Sequence, residues 1–159
     1  MMQLARSLAG STLALLLFLL LIQATAKAQD LKPFLLVAAG DIVECGDVSA
    51  SMTADQIDAI LAAQLGASAG ISVAALGDLV YEVGSDQEFR DCYGPTWGRF
   101  RERTLPVVGN HEYETPGAAG YIGYFGAQAG DPAKLYYSTN LANNWLFIAL
   151  NSNCPEAGG

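Results

Sequence analysis

Three short apolar runs, each followed by a glycine and a small oxygen-bearing side chain, constrain the fold of this chain most. They are Phe34–Ala39 before Gly40-Asp41, Ile71–Leu76 before Gly77-Asp78, and Leu105–Val108 before Gly109-Asn110. Continuous apolar runs of this length are typical of strands that are buried on both faces. Helix signals separate these runs, so the sequence predicts an α/β fold with parallel strands.

The helix signals are two capping-box patterns, Thr53–Gln56 and Ser85–Glu88. The first predicts a helix that ends at Gly66, and two further strands are predicted over 135–138 and 145–150. Right-handed crossovers between parallel strands place every post-strand loop at the same edge of the sheet. We therefore expect Asp41, Asp78 and Asn110 to converge, although they are far apart in sequence.

The first 28 residues have the pattern of a secretory signal peptide. Arg6 supplies a positive charge, Leu13–Ile22 is an uninterrupted apolar run, and Ala26-Lys27-Ala28 matches a signal-peptidase site. The apolar run is about half of the roughly 20 residues that a membrane span needs, which favours export over anchoring. The sequence predicts cleavage after Ala28, a secreted or periplasmic location, and a mature segment, residues 29–159, that amounts to one domain at most and has no membrane anchor.

The net charge of the chain limits the kinds of partner that it can bind. The chain carries 8 basic and 16 acidic side chains, a net charge of -8, which disfavours a nucleic-acid-binding surface. An acidic protein that handles anionic phosphate esters requires cations at its site, and bound metal ions are the strongest candidates.

The three cysteines allow at most one internal disulfide in an oxidising compartment. Cys45 and Cys92 are the candidates for this pair, which would leave Cys154 without a partner within the sequence.

The segment Gly109-Asn110-His111-Glu112 is the most specific motif, and it contains the chain's only histidine. Gly-Asp pairs alone are a weak signal, but those at Asp41 and Asp78 follow apolar runs. Glycine allows a sharp turn at the strand end, and a short Asp or Asn then holds an oxygen where a hard cation can bind. The pattern predicts a metal site at this edge of the sheet.

The segments Gly40-Asp41, Gly77–Tyr81 and Gly109–Glu112 resemble, in order and approximate spacing, the first three motif blocks of the calcineurin-like metallophosphoesterases. A tyrosine three residues after the second aspartate distinguishes the purple acid phosphatase-like branch, and Tyr81 stands at that position here, so the chain resembles this branch. The first block lacks the histidine common in the wider family, and Tyr81 is the residue that would replace it. The resemblance implies an αββα sandwich, of which this chain is the amino-terminal part and the carboxy-terminal part is missing.

The resemblance also implies roles for individual residues. Asp41 and Tyr81 would bind the first metal, Asp78 would bridge both metals, and Asn110 would bind the second. His111 would contact the phosphoryl group or protonate the leaving oxygen. A phenolate ligand favours Fe(III) at the first site, with Zn, Mn or Fe(II) at the second. The implied activity is hydrolysis of a phosphate ester by a metal-bound hydroxide.

The chain departs from the family pattern in its ligands. Two later blocks of the family supply three imidazole ligands, whereas this chain has only His111. We therefore expect weak or incomplete metal binding. In the family's sandwich the missing part completes a second sheet, so a lone sheet would expose its apolar face, and we also expect marginal stability or aggregation. The alternative is a non-catalytic exported fragment that binds metal or a partner weakly. A doubly wound nucleotide-binding module is a third interpretation, which the absence of Gly-x-Gly-x-x-Gly after the first strand disfavours. Packing of Tyr81 and a surface role for His111 remain open alternatives.

Overall fold

The computed structural model describes residues 34–64, 70–153 and 155. By its internal contacts the chain divides into Met1–Lys32 and Pro33–Gly159, and all described residues belong to the second unit. The predicted signal peptide, its cleavage site and Cys154 lie outside the described residues. Within the described ranges, no helix has the length and apolar character needed to span a bilayer.

The described part contains seven strands and three α-helices, joined by 3₁₀ and π-helical turns. In chain order they are β1 Phe34–Ala39, β2 Val43–Glu44, α1 Ser49–Gln64, β3 Gly70–Leu76, β4 Val80–Tyr81, α2 Asp86–Glu88, β5 Thr104–Val107, α3 Ala119–Phe125, β6 Tyr137–Asn140 and β7 Leu146–Ala149. Strands β1, β3 and β5 form a parallel sheet in the order β1-β3-β5, with Val37 opposite Val73 and Ala75 opposite Pro106. The predicted α/β class with parallel strands is confirmed. Strands β6 and β7 pair antiparallel, and β2 pairs parallel with β4.

One of the two capping-box predictions is wrong. Helix α1 begins at Ser49, so Thr53 lies inside it, where its hydroxyl donates to the Ser49 carbonyl oxygen at 3.1 Å. At the actual start, the Asp47 carboxylate accepts from the Ser49 amide at 2.7 Å. The second prediction is confirmed: the Ser85 hydroxyl accepts from the Glu88 amide, and the Glu88 carboxylate accepts from the Ser85 amide. The predicted helix end at Gly66 lies outside the described residues.

The hydrophobic core lies on one face of the parallel sheet. Val73 and Ala75 from β3 are fully buried there, beneath aromatic side chains from the segments after α2 and in α3. The Phe89 ring packs at 5.9 Å from the Phe125 ring. A disulfide between Cys45 and Cys92, as proposed from the sequence, ties the loop after β2 to this packed layer.

The opposite side of the sheet leaves apolar side chains in contact with solvent. Leu36 and Leu76 are 40% and 48% exposed, and Trp145 and Ile148, on the neighbouring hairpin, are 67% and 57% exposed. Leu36 and Trp145 line a common cavity on this surface. Contiguous exposed apolar surface of this kind promotes association between molecules.

We expect the purified chain to self-associate through this apolar surface. A Trp145→Ser, Ile148→Thr double variant should raise the monomer fraction, measured by size-exclusion chromatography with light scattering. The matched control is Val48→Thr, because Val48 is 69% exposed but lies in the loop before α1. A wild-type chain that is monomeric and unfolds in a sharp, reversible transition would contradict this expectation.

Candidate functional site

The loops that follow β1, β3 and β5 meet at the carboxyl edge of the parallel sheet, as the sequence predicted. Beyond the strand ends, the Asp41 amide donates to the Gly77 carbonyl oxygen at 3.2 Å, and the Gly77 amide donates to the Val107 carbonyl oxygen at 3.0 Å. These hydrogen bonds extend the register of the sheet into the loops. They bring Asp41, Asp78 and the start of the Gly109–Glu112 turn to one place.

Asp41 and Asp78 adopt the same left-handed backbone conformation, with φ of 51° and 49°. Aspartate tolerates this region better than most residues because its short polar side chain can form local hydrogen bonds. The repeated strand-Gly-Asp sequence thus produces the same local turn after two neighbouring strands. Each turn places a carboxylate at the sheet edge.

Tyr81 contacts Asp41 directly. The two-residue pairing of β2 with β4 sets Tyr81 opposite Glu44, and the Tyr81 hydroxyl donates to Asp41 Oδ1 at 2.6 Å. This hydrogen bond, followed by desolvation and by the negative charge of Asp78, raises the pKa of the Tyr81 phenol. Without a nearby cation, Tyr81 is therefore a protonated hydrogen-bond donor at neutral pH.

His111 joins Tyr81 to Asp78. The His111 amide donates to Asp78 Oδ1 at 3.0 Å, and the His111 ring lies edge-on to the Tyr81 ring at 4.4 Å. His111 Nδ1 is 2.6 Å from the Glu82 carbonyl oxygen. Because a carbonyl oxygen only accepts, Nδ1 carries the proton and Nε2 is the nitrogen that exchanges one. The bond to Glu82 raises the pKa of the imidazole.

Asn110 lies between Gly109 and His111 at the same sheet edge, and it is exposed. Its backbone carbonyl oxygen accepts from the Tyr113 amide at 3.0 Å. The described residues show no hydrogen bond to its side chain. Of the five residues predicted from the sequence, four are linked by direct contacts, Asp41 to Tyr81 to His111 to Asp78, and Asn110 adjoins them along the chain.

Sequence reasoning assigned no role to Glu112, which is fully buried beneath this site. Its carboxylate accepts hydrogen bonds from four backbone amides: Asp78 at 3.1 Å, Leu79 at 2.7 Å, Val80 at 3.4 Å and Gly109 at 2.7 Å. Burial raises the pKa of Glu112, and the hydrogen bonds from Gly109 and Leu79 oppose that shift. The motif Gly109–Glu112 includes Glu112 and not the exposed Glu114, but nothing in the sequence indicates that the Glu112 carboxylate is buried and accepts from backbone amides.

The donor chemistry of the cluster fits a hard cation. Asp41, Asp78, Tyr81 and Asn110 all supply oxygen atoms, which hard divalent and trivalent ions prefer. Two oxygens bound to one such ion at right angles lie about 2.9 Å apart, given bond lengths of about 2.0–2.1 Å. The Tyr81 and Asp41 oxygens, 2.6 Å apart, are close to that separation. Across residues 34–64, 70–153 and 155, no three Asp, Glu, His or Cys side chains form a group able to hold a metal.

Comparison with protein-family models, with curated proteins and with solved structures finds no match to this chain. The functional interpretation therefore depends on the motifs and on the geometry that the fold gives them.

Proposed function

We propose that this chain carries the first three motif blocks of a metal-dependent phosphoester hydrolase of the calcineurin-like, purple acid phosphatase-like kind, acting outside the cytoplasm. One observation supports the proposal most strongly. The Tyr81 hydroxyl and the Asp41 carboxylate meet at 2.6 Å, beside Asp78 and His111, at the carboxyl edge of a parallel sheet. Ligands in α/β proteins generally bind at this edge.

Asp41 and Tyr81 would hold one cation, Asp78 would contribute to two, and Asn110 would hold the second. The phenol favours Fe(III) at the first position, with Zn, Mn or Fe(II) at the second. Bound cations would stabilise the negative charge that develops on the phosphoryl oxygens, and would let an anionic ester approach a chain whose net charge is -8.

His111 is the proton donor of the proposed reaction. Its bond from Nδ1 to the Glu82 carbonyl oxygen fixes the tautomer and the orientation of the ring, and it leaves Nε2 as the exchanging nitrogen. A proton delivered from Nε2 to the leaving oxygen would prevent the release of an unstable alkoxide. The edge-on contact with Tyr81 limits rotation of the His111 ring.

A non-catalytic role is the second candidate, and the composition of the site favours it. Two cations prefer about four to six donors each, whereas this chain offers two carboxylates, one phenol and one amide. His111 is the chain's only histidine, so the imidazole ligands implied by the resemblance are not among its residues. In this role the chain would bind metal weakly and would not hydrolyse esters.

The Tyr81→Phe variant tests the proposal. Fe(III), supplied as its citrate complex together with Zn²⁺, should give wild-type protein a visible band from charge transfer between the phenolate and the iron. We expect the variant to lose this band, and to lose at least about tenfold in hydrolysis of p-nitrophenyl phosphate, because it removes one ligand oxygen and keeps the ring.

The matched control is Tyr136→Phe, because Tyr136 is 51% exposed and lies just before β6, outside the cluster. This control should retain the band and the activity of the wild type. A band without hydrolysis in the wild type would favour the non-catalytic role. A wild type without the band, or a band that persists in Tyr81→Phe, would reject the proposed metal site.

A further inference from the structure

Two glutamates outside the proposed ligand set hold the backbone that carries the site. The first is Glu112, whose two carboxylate oxygens are shared between two loops. Oε1 accepts from Leu79 and Val80, and Oε2 accepts from Asp78 and Gly109. One buried carboxylate thus joins the loop after β3 to the turn after β5.

Asp78 is consequently held from two directions by the same turn. Its amide donates to Glu112 at 3.1 Å, while its Oδ1 accepts from the His111 amide at 3.0 Å. Any movement of the β3 loop away from the β5 turn would break both bonds. The position of the Asp78 carboxylate therefore depends on Glu112.

The second glutamate, Glu88, holds the segment after Tyr81. Its Oε1 accepts from the Glu82 amide at 2.7 Å and from the Val83 amide at 3.4 Å, and its Oε2 accepts from the Ser85 amide at 2.8 Å. Glu82 is also the residue whose carbonyl oxygen bonds His111 Nδ1. Glu88 thus fixes the backbone between Tyr81 and the acceptor that orients His111.

We propose that Glu112 and Glu88 are positioning residues, which hold the backbone of residues 78–85 so that Asp78, Tyr81 and His111 keep the geometry the reaction needs. Each carboxylate acts through the backbone amides that donate to it. The two act on opposite sides of Tyr81, so the loss of either one loosens a different half of the same segment. This inference rests on the proposed hydrolase function.

The test compares Glu112→Gln with Glu114→Gln, a control with the same chemical change at an exposed residue two positions away. Glutamine retains one acceptor oxygen but turns an NH₂ group toward backbone amides that are themselves donors. In the metal-free full chain, amide hydrogen exchange at Leu79 and Gly109 should be about tenfold faster in Glu112→Gln than in wild type. Exchange in Glu114→Gln should match wild type.

Kinetics and absorption then separate positioning from a purely structural role. At a temperature where every variant is folded, Glu112→Gln with Fe(III) and Zn²⁺ should lower kcat for p-nitrophenyl phosphate by about tenfold and change KM by less than about twofold. Its phenolate-to-iron band should shift. Glu112→Asp keeps both acceptor oxygens and should recover part of kcat.

Should Glu112→Gln fail to fold, Glu88→Gln provides the same comparison at a less buried carboxylate, and it should lower kcat and shift the band in the same way. If the wild type is active, and Glu112→Gln and Glu88→Gln have the same kcat and the same band as the wild type, the positioning role alone would be overturned. A wild type with neither band nor activity would overturn the proposed function, and the positioning role with it.

Discussion

Replacing Asp78 with asparagine should lower metal-dependent hydrolysis of p-nitrophenyl phosphate by about a thousandfold, because the variant loses the negative charge proposed to serve two cations. The change is nearly isosteric. Asparagine tolerates the left-handed backbone at this position, where φ is 49°, and it keeps an oxygen to accept from the His111 amide. The loss should therefore arise from the site and leave the fold intact, which near-ultraviolet circular dichroism of the variant would check.

Asp91→Asn is the matched control for this prediction. Asp91 is about half exposed, its side chain forms an ion pair with the neighbouring Arg90, and it is not one of the proposed ligands. Hydrolysis by this control should equal that of the wild type. Activity that survives Asp78→Asn would have to arise at another site, and it would contradict the assignment of this cluster.

Replacing Gly109 with alanine should lower the free energy of unfolding by about 3 kcal/mol, because the added methyl group has no space. A Cβ atom at Gly109 would overlap Asp78 Oδ1 and the Asp78 amide nitrogen. Glu112 binds both the Asp78 and the Gly109 amides, so the two loops cannot separate without loss of these hydrogen bonds. Urea unfolding followed by tryptophan fluorescence would measure the change.

Gly117→Ala separates steric overlap from backbone strain. Gly117 has φ of 66°, but a Cβ atom there would meet no atom within 4 Å. Its replacement should cost only about 1 kcal/mol, the usual penalty for a left-handed alanine. Equal costs for the two variants would show that the contact between Gly109 and Asp78 is not tight, and would weaken the described geometry of the site.

The parallel sheet could be predicted from the sequence because its signals are local. Each strand is a short apolar run that glycine ends, and the capping box at Ser85–Glu88 satisfies its own amides. The convergence of Asp41 with Asp78 then follows from the handedness of parallel crossovers. The start of α1 could not be predicted correctly, because Asp47 competes with Thr53 as the residue that binds the first helical amides.

The support beneath the site could not be predicted, because it depends on contacts between distant segments. Glu112 is a buried acceptor only because amides from two loops, at 78–80 and at 109, surround it. The contact of Tyr81 with Asp41 likewise requires the two-residue pairing of β2 and β4, which is too short to leave a periodic signal in the sequence. Such features become visible only once the strands are assembled.

Paramagnetic broadening by Mn²⁺ tests whether Asp41, Asp78 and Tyr81 form one oxygen-donor site for a cation, as proposed. In ¹H–¹⁵N spectra of the full chain, a small fraction of an equivalent of Mn²⁺ should first broaden the amide signals of residues 41, 78, 81 and 111. Signals of Asp55 and Asp58, exposed carboxylates paired with Arg99, should remain sharp at that level. Broadening that begins at Asp55 and Asp58, or that is uniform over the chain, would contradict the claim.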